Sequence, residues 1–208
     1  MTPRSLVAIL VSGALLAGCA GGGGFVSRNA QANTPLFGSK SGADVSAPLN
    51  PSYRVTEVDV TVPPELTVSE ANGIKPRADI LWQEEPLGDR YAQVDAILTD
   101  AIKQGVAGMD GPRAVKIEAV VTRFHALTKR TRYTYGGDHE IWMVMSVRDA
   151  ETGELLEPGR LVGFDSWVSS EQALADEAQG IFQRDEITAL VSDMIRNDLT
   201  QPRDAPQG

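Results

Sequence analysis

The feature that most constrains the fold is a series of apolar residues at every second position in the second half of the chain. Residues 115–121 show this alternation, and residues 141–147 repeat it. A period of two predicts half-buried strands, and a third strand is predicted at residues 161–168. Because short connections join the three strands, we expect them to pair antiparallel, with a hairpin turn at residues 149–153.

A change of phase interrupts the first of these strands. Val121 belongs to one apolar parity and Phe124 to the other, which predicts a β-bulge near Thr122 and Arg123. Earlier in the chain, alternation at residues 56–62 and the short apolar run at residues 80–82 predict two more strands.

Helical spacing of apolar residues occurs in two segments. The first follows Asp89, continues to Ile102 and is expected to end at Gly105 or Gly108. The second covers residues 187–199 near the C-terminus, and a helical turn or two is expected at residues 169–178 in between.

The order of these elements indicates the fold class. The sequence predicts strand, strand, helix, three strands, helix, and both long helices carry one apolar stripe that must be buried. The simplest arrangement is an α+β two-layer sandwich, in which a mostly antiparallel sheet packs two helices on one face. Residues 53–199 are enough to enclose a hydrophobic core.

The N-terminus has the pattern of a bacterial lipoprotein signal. Residues 1–18 combine an early arginine with an apolar run too short to span a bilayer. The sequence Leu16-Ala17-Gly18-Cys19 then resembles a lipobox, in which cleavage falls between Gly18 and Cys19 and the cysteine is acylated. Ala20 follows the cysteine where an aspartate would favour the inner membrane. We therefore expect anchoring in the outer membrane, facing the periplasm.

The regions on either side of the predicted domain have a different composition. Residues 19–52 are rich in Gly, Ser, Asn, Ala and Pro and are expected to form the acylated cysteine and a flexible tether. Residues 200–208 contain two prolines and are expected to be a disordered tail. Cys19 is the only cysteine, so the chain has no internal disulfide.

Charge and motif content exclude several functions. The formal net charge is -9, which opposes binding to nucleic acid and electrostatic binding to an anionic membrane, except where a local basic patch acts. The sequence has no nucleophile motif and no phosphate-binding loop, so we expect no catalytic residues, no cofactor and no enzymatic activity. The oligomeric state does not follow from the sequence.

Two histidines offer the sole candidate for a metal site. His125 and His139 fall on neighbouring predicted strands, roughly diagonal to one another, with Asp138 and Glu140 close in sequence. Such a set could hold a metal, but its spacing is not that of a compact ligand motif. Two ordinary histidines bonded to the backbone are the favoured interpretation, and no metal is expected.

The most distinctive surface feature predicted is a cluster of basic and aromatic residues. It lies between the first two of the three antiparallel strands. Local positive charge on an acidic protein suits a lipid phosphate, a glycan or an acidic protein partner, although a solvated loop whose cations offset nearby acids is the alternative. The cluster consists of Arg123, Lys129, Arg130, Arg132, Tyr133 and Tyr135.

Several short phrases of the sequence together resemble a family of small, uncharacterised alphaproteobacterial lipoproteins, defined as a domain of unknown function. The phrases are Ala78–Trp82, Pro86–Arg90, Gln93–Val94, Arg123–Thr128, Arg132–Tyr133, Gly136–Gly137 with His139, Asp149–Ala150 and Thr152–Gly153. The resemblance implies no activity. The order of signal, tether and elements is also loosely similar to periplasmic lipoproteins that accompany ABC-type transporters, which is a likeness of architecture alone.

These observations favour a membrane-anchored, non-enzymatic protein that binds an envelope protein or a lipid during envelope assembly or transport. Two alternatives remain at this point. One is a structural subunit of a homo-oligomeric envelope complex, formed through edge strands. The other is a metal-dependent hydrolase that uses His125 and His139.

Overall fold

The computed structural model describes residues 52–200, and the structural statements below refer to that part of the chain. The expected signal peptide and lipidated Cys19, almost all of the expected tether, and the expected C-terminal tail lie outside the described residues. No helix within residues 52–200 is long and apolar enough to cross a membrane.

Five strands and four helices make up the described region. In chain order they are β1 (Tyr53–Thr61), β2 (Ile80–Leu81), α1 (Arg90–Gly105), β3 (Arg113–His125), α2 (Lys129–Thr134), β4 (Gly137–Asp149), β5 (Leu155–Val168), α3 (Ser170–Glu177) and α4 (Gln183–Thr200).

The strands form one mixed sheet in the order β1-β3-β4-β5, with β2 paired to β3 beyond the end of β1. Strands β3, β4 and β5 pair antiparallel, as their short connections predict. Strands β1 and β2 pair parallel to β3. The predicted α+β class with a mostly antiparallel sheet is therefore confirmed.

Local backbone signals in the sequence also appear in the structure. The register of β3 against β4 shifts between Val121 and Arg123, where the phase change predicts a bulge. Gly153 has φ of 75° in the turn between β4 and β5, a conformation that glycine adopts at low cost. The last strand begins at Leu155, six residues before its predicted start.

The interpretation of the basic segment between β3 and β4 as a simple hairpin loop is wrong, because residues 129–134 form the short helix α2. The Thr128 hydroxyl oxygen accepts a hydrogen bond from the Thr131 amide at 3.0 Å and so caps its first turn. Six residues are too few to show an amphipathic period, so the sequence pattern does not reveal this helix.

The hydrophobic core lies between the sheet and the two long helices. Alternate residues of β3 and β4, including Ile117 and Met145, are fully buried and belong to the same core cluster as Ile97 of α1 and Val191 of α4. Helix α1 packs directly against α4, as two apolar stripes that bury each other would.

The contact between α1 and α4 depends on Gly105, which the sequence pattern places at the end of the first helix. The residue is the last helical position, as predicted, and a β-carbon there would lie 2.6 Å from the backbone oxygen of Ser192. The Ser192 hydroxyl in turn donates to the Ala101 carbonyl at 2.9 Å. Gly105 therefore allows two helix backbones to approach closely.

We expect Gly105→Ala to destabilise the domain by about 1–3 kcal/mol, because the added methyl group forces the helices apart. Alanine has the higher helix propensity, so an exposed site would show the opposite sign. Urea unfolding measures the difference, with Gln104→Ala on the exposed side of the same turn as the control. An unchanged midpoint for Gly105→Ala would show that the helices do not meet at this point.

Candidate functional site

The two histidines lie on opposite faces of the sheet. His125 pairs with Glu140 in the register of β3 and β4, so these two side chains share a face, and His139 points the other way. His125 Nε2 lies 2.9 Å from the Pro76 carbonyl oxygen, whereas His139 Nε2 lies 3.4 Å from Glu186 Oε2 on α4. They therefore cannot bind one metal ion together.

Other groups of the described region do not form a metal site either. No cluster of three or more His, Cys, Asp or Glu side chains suited to a metal occurs within residues 52–200. Burial lowers the pKa of His125, and the nearby Arg123 lowers it further, although the bond to Pro76 acts in the opposite direction. A neutral imidazole bonded to the backbone is a structural role for this residue.

Arg132, one of the six residues of the predicted basic cluster, is not on the surface. Its side chain is 3% exposed, and its two terminal nitrogens donate to the Glu186 carboxylate at 2.9 and 2.7 Å. Its Nε donates to Glu177 at 2.8 Å. This buried ionic cluster of Arg132, Glu177, Glu186 and His139 joins α2 to α3, α4 and β4.

The carboxylate of Glu186 is held in its charged form. Burial raises the pKa of a carboxyl group, but the hydrogen bonds from His139 and Arg132 outweigh that effect and lower the Glu186 pKa to about 2. The bidentate geometry with a guanidinium is the strongest form of charged hydrogen bond in proteins.

The other predicted residues remain at the surface. Lys129 and Arg130 are exposed and have no acidic partner among residues 52–200. Tyr135 is 61% exposed and Tyr133 is 44% exposed, and the Tyr133 hydroxyl lies 3.1 Å from both oxygens of Glu177. Arg123 is half-buried and pairs with Glu140.

A loop from a distant part of the sequence lies beside this segment. Residues 72–78 follow residues 123–130 in the opposite direction, through four successive contacts of side chain or backbone. The contacts join Ala78 to Arg123 (3.2 Å), Pro76 to His125 (2.9 Å), Gly73 to Thr128 (2.7 Å) and Asn72 to Arg130 (2.8 Å).

This loop adds two cations that the sequence analysis missed. Lys75 and Arg77 are both exposed and lie between the contact points. Charge in a loop is visible in the sequence, but its position beside a segment about 50 residues away depends on the tertiary fold. We use the term basic surface for the five cations Lys75, Arg77, Arg123, Lys129 and Arg130.

The basic surface carries more positive than negative charge. Lys75 and Arg123 share the single carboxylate of Glu140. Burial raises the Glu140 pKa, but its bonds to both cations lower it by more, so the carboxylate is ionised at neutral pH. Arg77, like Lys129 and Arg130, has no acidic partner among the described residues. Three of the five cations are thus available for a ligand.

An open cleft lies at one end of the basic surface. Its volume is about 670 Å³, and it is lined by Thr67, Lys75, Pro76, Arg77, Ala78, Asp79 and Arg123. Asp79 is the one acid in this lining, and hydrogen bonds from the Thr67 hydroxyl and amide, together with Arg123, lower its pKa. The arrangement can hold an anion, but it presents no nucleophile or paired acid and base.

Comparison with known protein families shows to which family the domain belongs. The model of DUF6778, a family of unknown function, matches residues 53–208. The chain belongs to the DUF6778 family. The membership agrees with the expected resemblance to a domain of unknown function, while an alphaproteobacterial origin stays an expectation. Comparison of this DUF6778 sequence with the curated proteins finds no match.

Three solved structures are distantly similar to this DUF6778 protein. A DUF330 protein from Xanthomonas campestris is 13% identical with a TM-score of 0.43, over 74% of this chain and 88% of that one. A provisionally assigned lipoprotein from Caulobacter crescentus is 19% identical with a TM-score of 0.26, over 51% and 80%. The dodecameric PelC of Paraburkholderia phytofirmans is 12% identical with a TM-score of 0.29, over 67% and 88%. Likeness this distant carries no functional argument.

The buried ionic cluster leads to a pH-dependent prediction for Glu186→Gln. The Glu186 pKa lies below its value in the unfolded chain, so its contribution to stability is complete above about pH 4.5 and is lost as the pH falls towards 2. The contribution amounts to about 3 kcal/mol. We expect the variant to be less stable at pH 7 and to lose less further stability between pH 5 and pH 2.

Urea unfolding at a series of pH values checks this prediction. Glu171→Gln on the exposed side of α3 is the matched control, and we expect it to change stability by less than about 0.5 kcal/mol. Parallel pH profiles for the wild type and Glu186→Gln would contradict the assignment of this carboxylate as the acid-sensitive contact.

Proposed function

We propose that this protein is a lipid-anchored envelope protein whose folded domain binds an anionic ligand through the basic surface, without catalysing a reaction. The observation that carries the proposal is a group of three cations, Arg77, Lys129 and Arg130, that have no acidic partner in the described part of the chain, on a protein with a formal net charge of -9. Guanidinium and ammonium groups without an acidic partner are free to bind the oxygens of an anionic ligand, and grouped on one surface they create a local positive potential.

The anchor is supported by the sequence of the N-terminus. Leu16-Ala17-Gly18-Cys19 follows a short apolar run, and Cys19 is the only cysteine. Two or three acyl chains hold a protein on a membrane, since each buried methylene contributes about 0.8 kcal/mol. Ala20 after the cysteine supports the periplasmic face of the outer membrane as the location.

The binding role is supported by the chemistry of the residues at the surface. Around the cleft, the structure brings together guanidinium and ammonium groups, which bind anions, and no nucleophile activated by a base. The neutral, backbone-bonded His125 is the nearest candidate base, and its Nε2 is already engaged by Pro76. The side chains suit recognition of an anion.

We expect Cys19→Ala to abolish acyl labelling and to release the processed or unprocessed chain from the outer-membrane fraction. The thiol is the atom to which the acyl group is attached, so alanine removes the anchor and leaves the domain intact. Metabolic labelling with a fatty acid analogue and membrane fractionation measure both effects. Continued acylation of the variant would show that the lipobox is wrongly assigned.

Crosslinking in intact cells tests the binding role of the basic surface. We expect the Lys129→Glu/Arg130→Glu double variant to lose most of the crosslinked envelope components that the wild type captures, because the variant repels an anionic ligand. Lys103→Glu is the matched control, since Lys103 is exposed on α1 beside residues 55–58 at the other end of the sheet.

The outcomes of that experiment separate the candidate functions. Loss of capture in the double variant but not in the control supports the proposal. Equal capture by all three proteins would remove the basic surface from the function. Crosslinks solely between copies of the chain would favour a homo-oligomeric structural subunit.

A further inference from the structure

We propose that the ligand of the basic surface is the anionic headgroup layer of a phospholipid membrane, onto which the domain docks with Ile74 and Tyr135 in the interface. The inference rests on the proposed function and names its ligand class. It is carried by three cations that have no acidic partner within residues 52–200, together with two exposed apolar side chains, Ile74 on the loop and Tyr135 directly after α2.

Backbone contacts place Ile74 beside α2 and Tyr135 at the C-terminal end of the same helix. Ile74 is 55% exposed and immediately precedes Lys75, while its carbonyl oxygen accepts a hydrogen bond from the Thr131 hydroxyl of α2. Tyr135 is 61% exposed and is the C-terminal capping residue of the same helix. An isolated exposed apolar residue is ordinary, but one set among free cations is the composition of surfaces that lie in a headgroup layer.

The local charge agrees with an anionic surface even though the whole protein is acidic. Charges separated by more than about 8 Å are largely screened at physiological ionic strength, so the side chains nearest the membrane decide the interaction. The acids of this region are already engaged: Glu140 by two cations, and Glu177 and Glu186 by the buried Arg132. Asp79 in the cleft lining is also ionised and bonded to Thr67, so the three free cations outnumber the one acid there that no cation neutralises by a salt bridge.

The geometry favours an array of phosphates over one bound phosphate. A site for a single phosphate needs donors that converge on one point, usually with backbone amides. The free cations here come from a loop and from the first turn of α2, and their side chains are exposed, so they are spread along a surface. Headgroups at the face of a bilayer are spread in the same way.

Vesicle binding tests the inference directly. The protein for this test consists of residues 20–208, which include the entire described domain and its hydrophobic core. It lacks Cys19 and therefore the acyl groups, which would bind to any bilayer. We expect it to bind vesicles of phosphatidylglycerol and phosphatidylcholine, to bind pure phosphatidylcholine vesicles far more weakly, and to be released by high salt. Millimolar inorganic phosphate should not displace it.

Three variants assign the binding to the named residues. Lys129→Gln/Arg130→Gln should lower the partition coefficient about 25-fold, since each cation near an anionic surface contributes about fivefold. Ile74→Ser should lower it several-fold without changing the charge. Lys103→Gln, which removes a cation at the far end of the sheet, should leave it unchanged.

Several results would overturn the inference. These are no binding to anionic vesicles, equal binding to both vesicle types, full displacement by inorganic phosphate, or no loss in the Lys129→Gln/Arg130→Gln variant. If vesicles are not bound but crosslinking in cells still requires Lys129 and Arg130, the ligand is an acidic protein and the proposed function stands. If neither assay depends on these residues, both proposals fail.

Discussion

The ion pairs of the buried Arg132 guanidinium are the interaction on which the end of the domain with the basic surface depends. It lies on a helix of only six residues, which would not persist alone in water, and it binds carboxylates from α3 and α4. Removing one partner of a buried ion pair costs about 3–5 kcal/mol, because an uncompensated charge is left behind. The interaction therefore fixes α2 against the rest of the domain, and with it the exposed cations that precede Arg132.

The arginines of α2 look alike in the sequence but have two different roles. Arg130 and Arg132 are separated by one residue, yet Arg130 faces solvent and Arg132 is 3% exposed. On a helix, side chains two positions apart point in different directions. The helical backbone therefore explains why Arg132 is buried while Arg130 is exposed. In an extended hairpin loop the two side chains would have been interchangeable.

The strands could be predicted from the sequence because their signal is local. The period of two in residues 115–121 and 141–147, and the phase change before Phe124, depend on neighbours in the chain, and the sheet shows both. The burial of Arg132 depends on Glu177 and Glu186, which lie 45 and 54 residues away. A local sequence pattern does not reveal partners this far apart in the chain. For the same reason it does not reveal that the loop with Lys75 and Arg77 lies beside α2.

The entry point of the chain into the sheet has a mechanical consequence. Tyr53 pairs with Arg113, at the start of β3, whereas the basic surface lies past its end. A strand of 13 residues is about 43 Å long. If Cys19 carries the proposed anchor, residues 20–52 must therefore cover at least this distance for the basic surface to face the membrane. Fully extended, residues 20–52 reach roughly 110 Å. A tether shortened to fewer than about 13 residues could not cover the length of β3, so the basic surface would face away from the anchor.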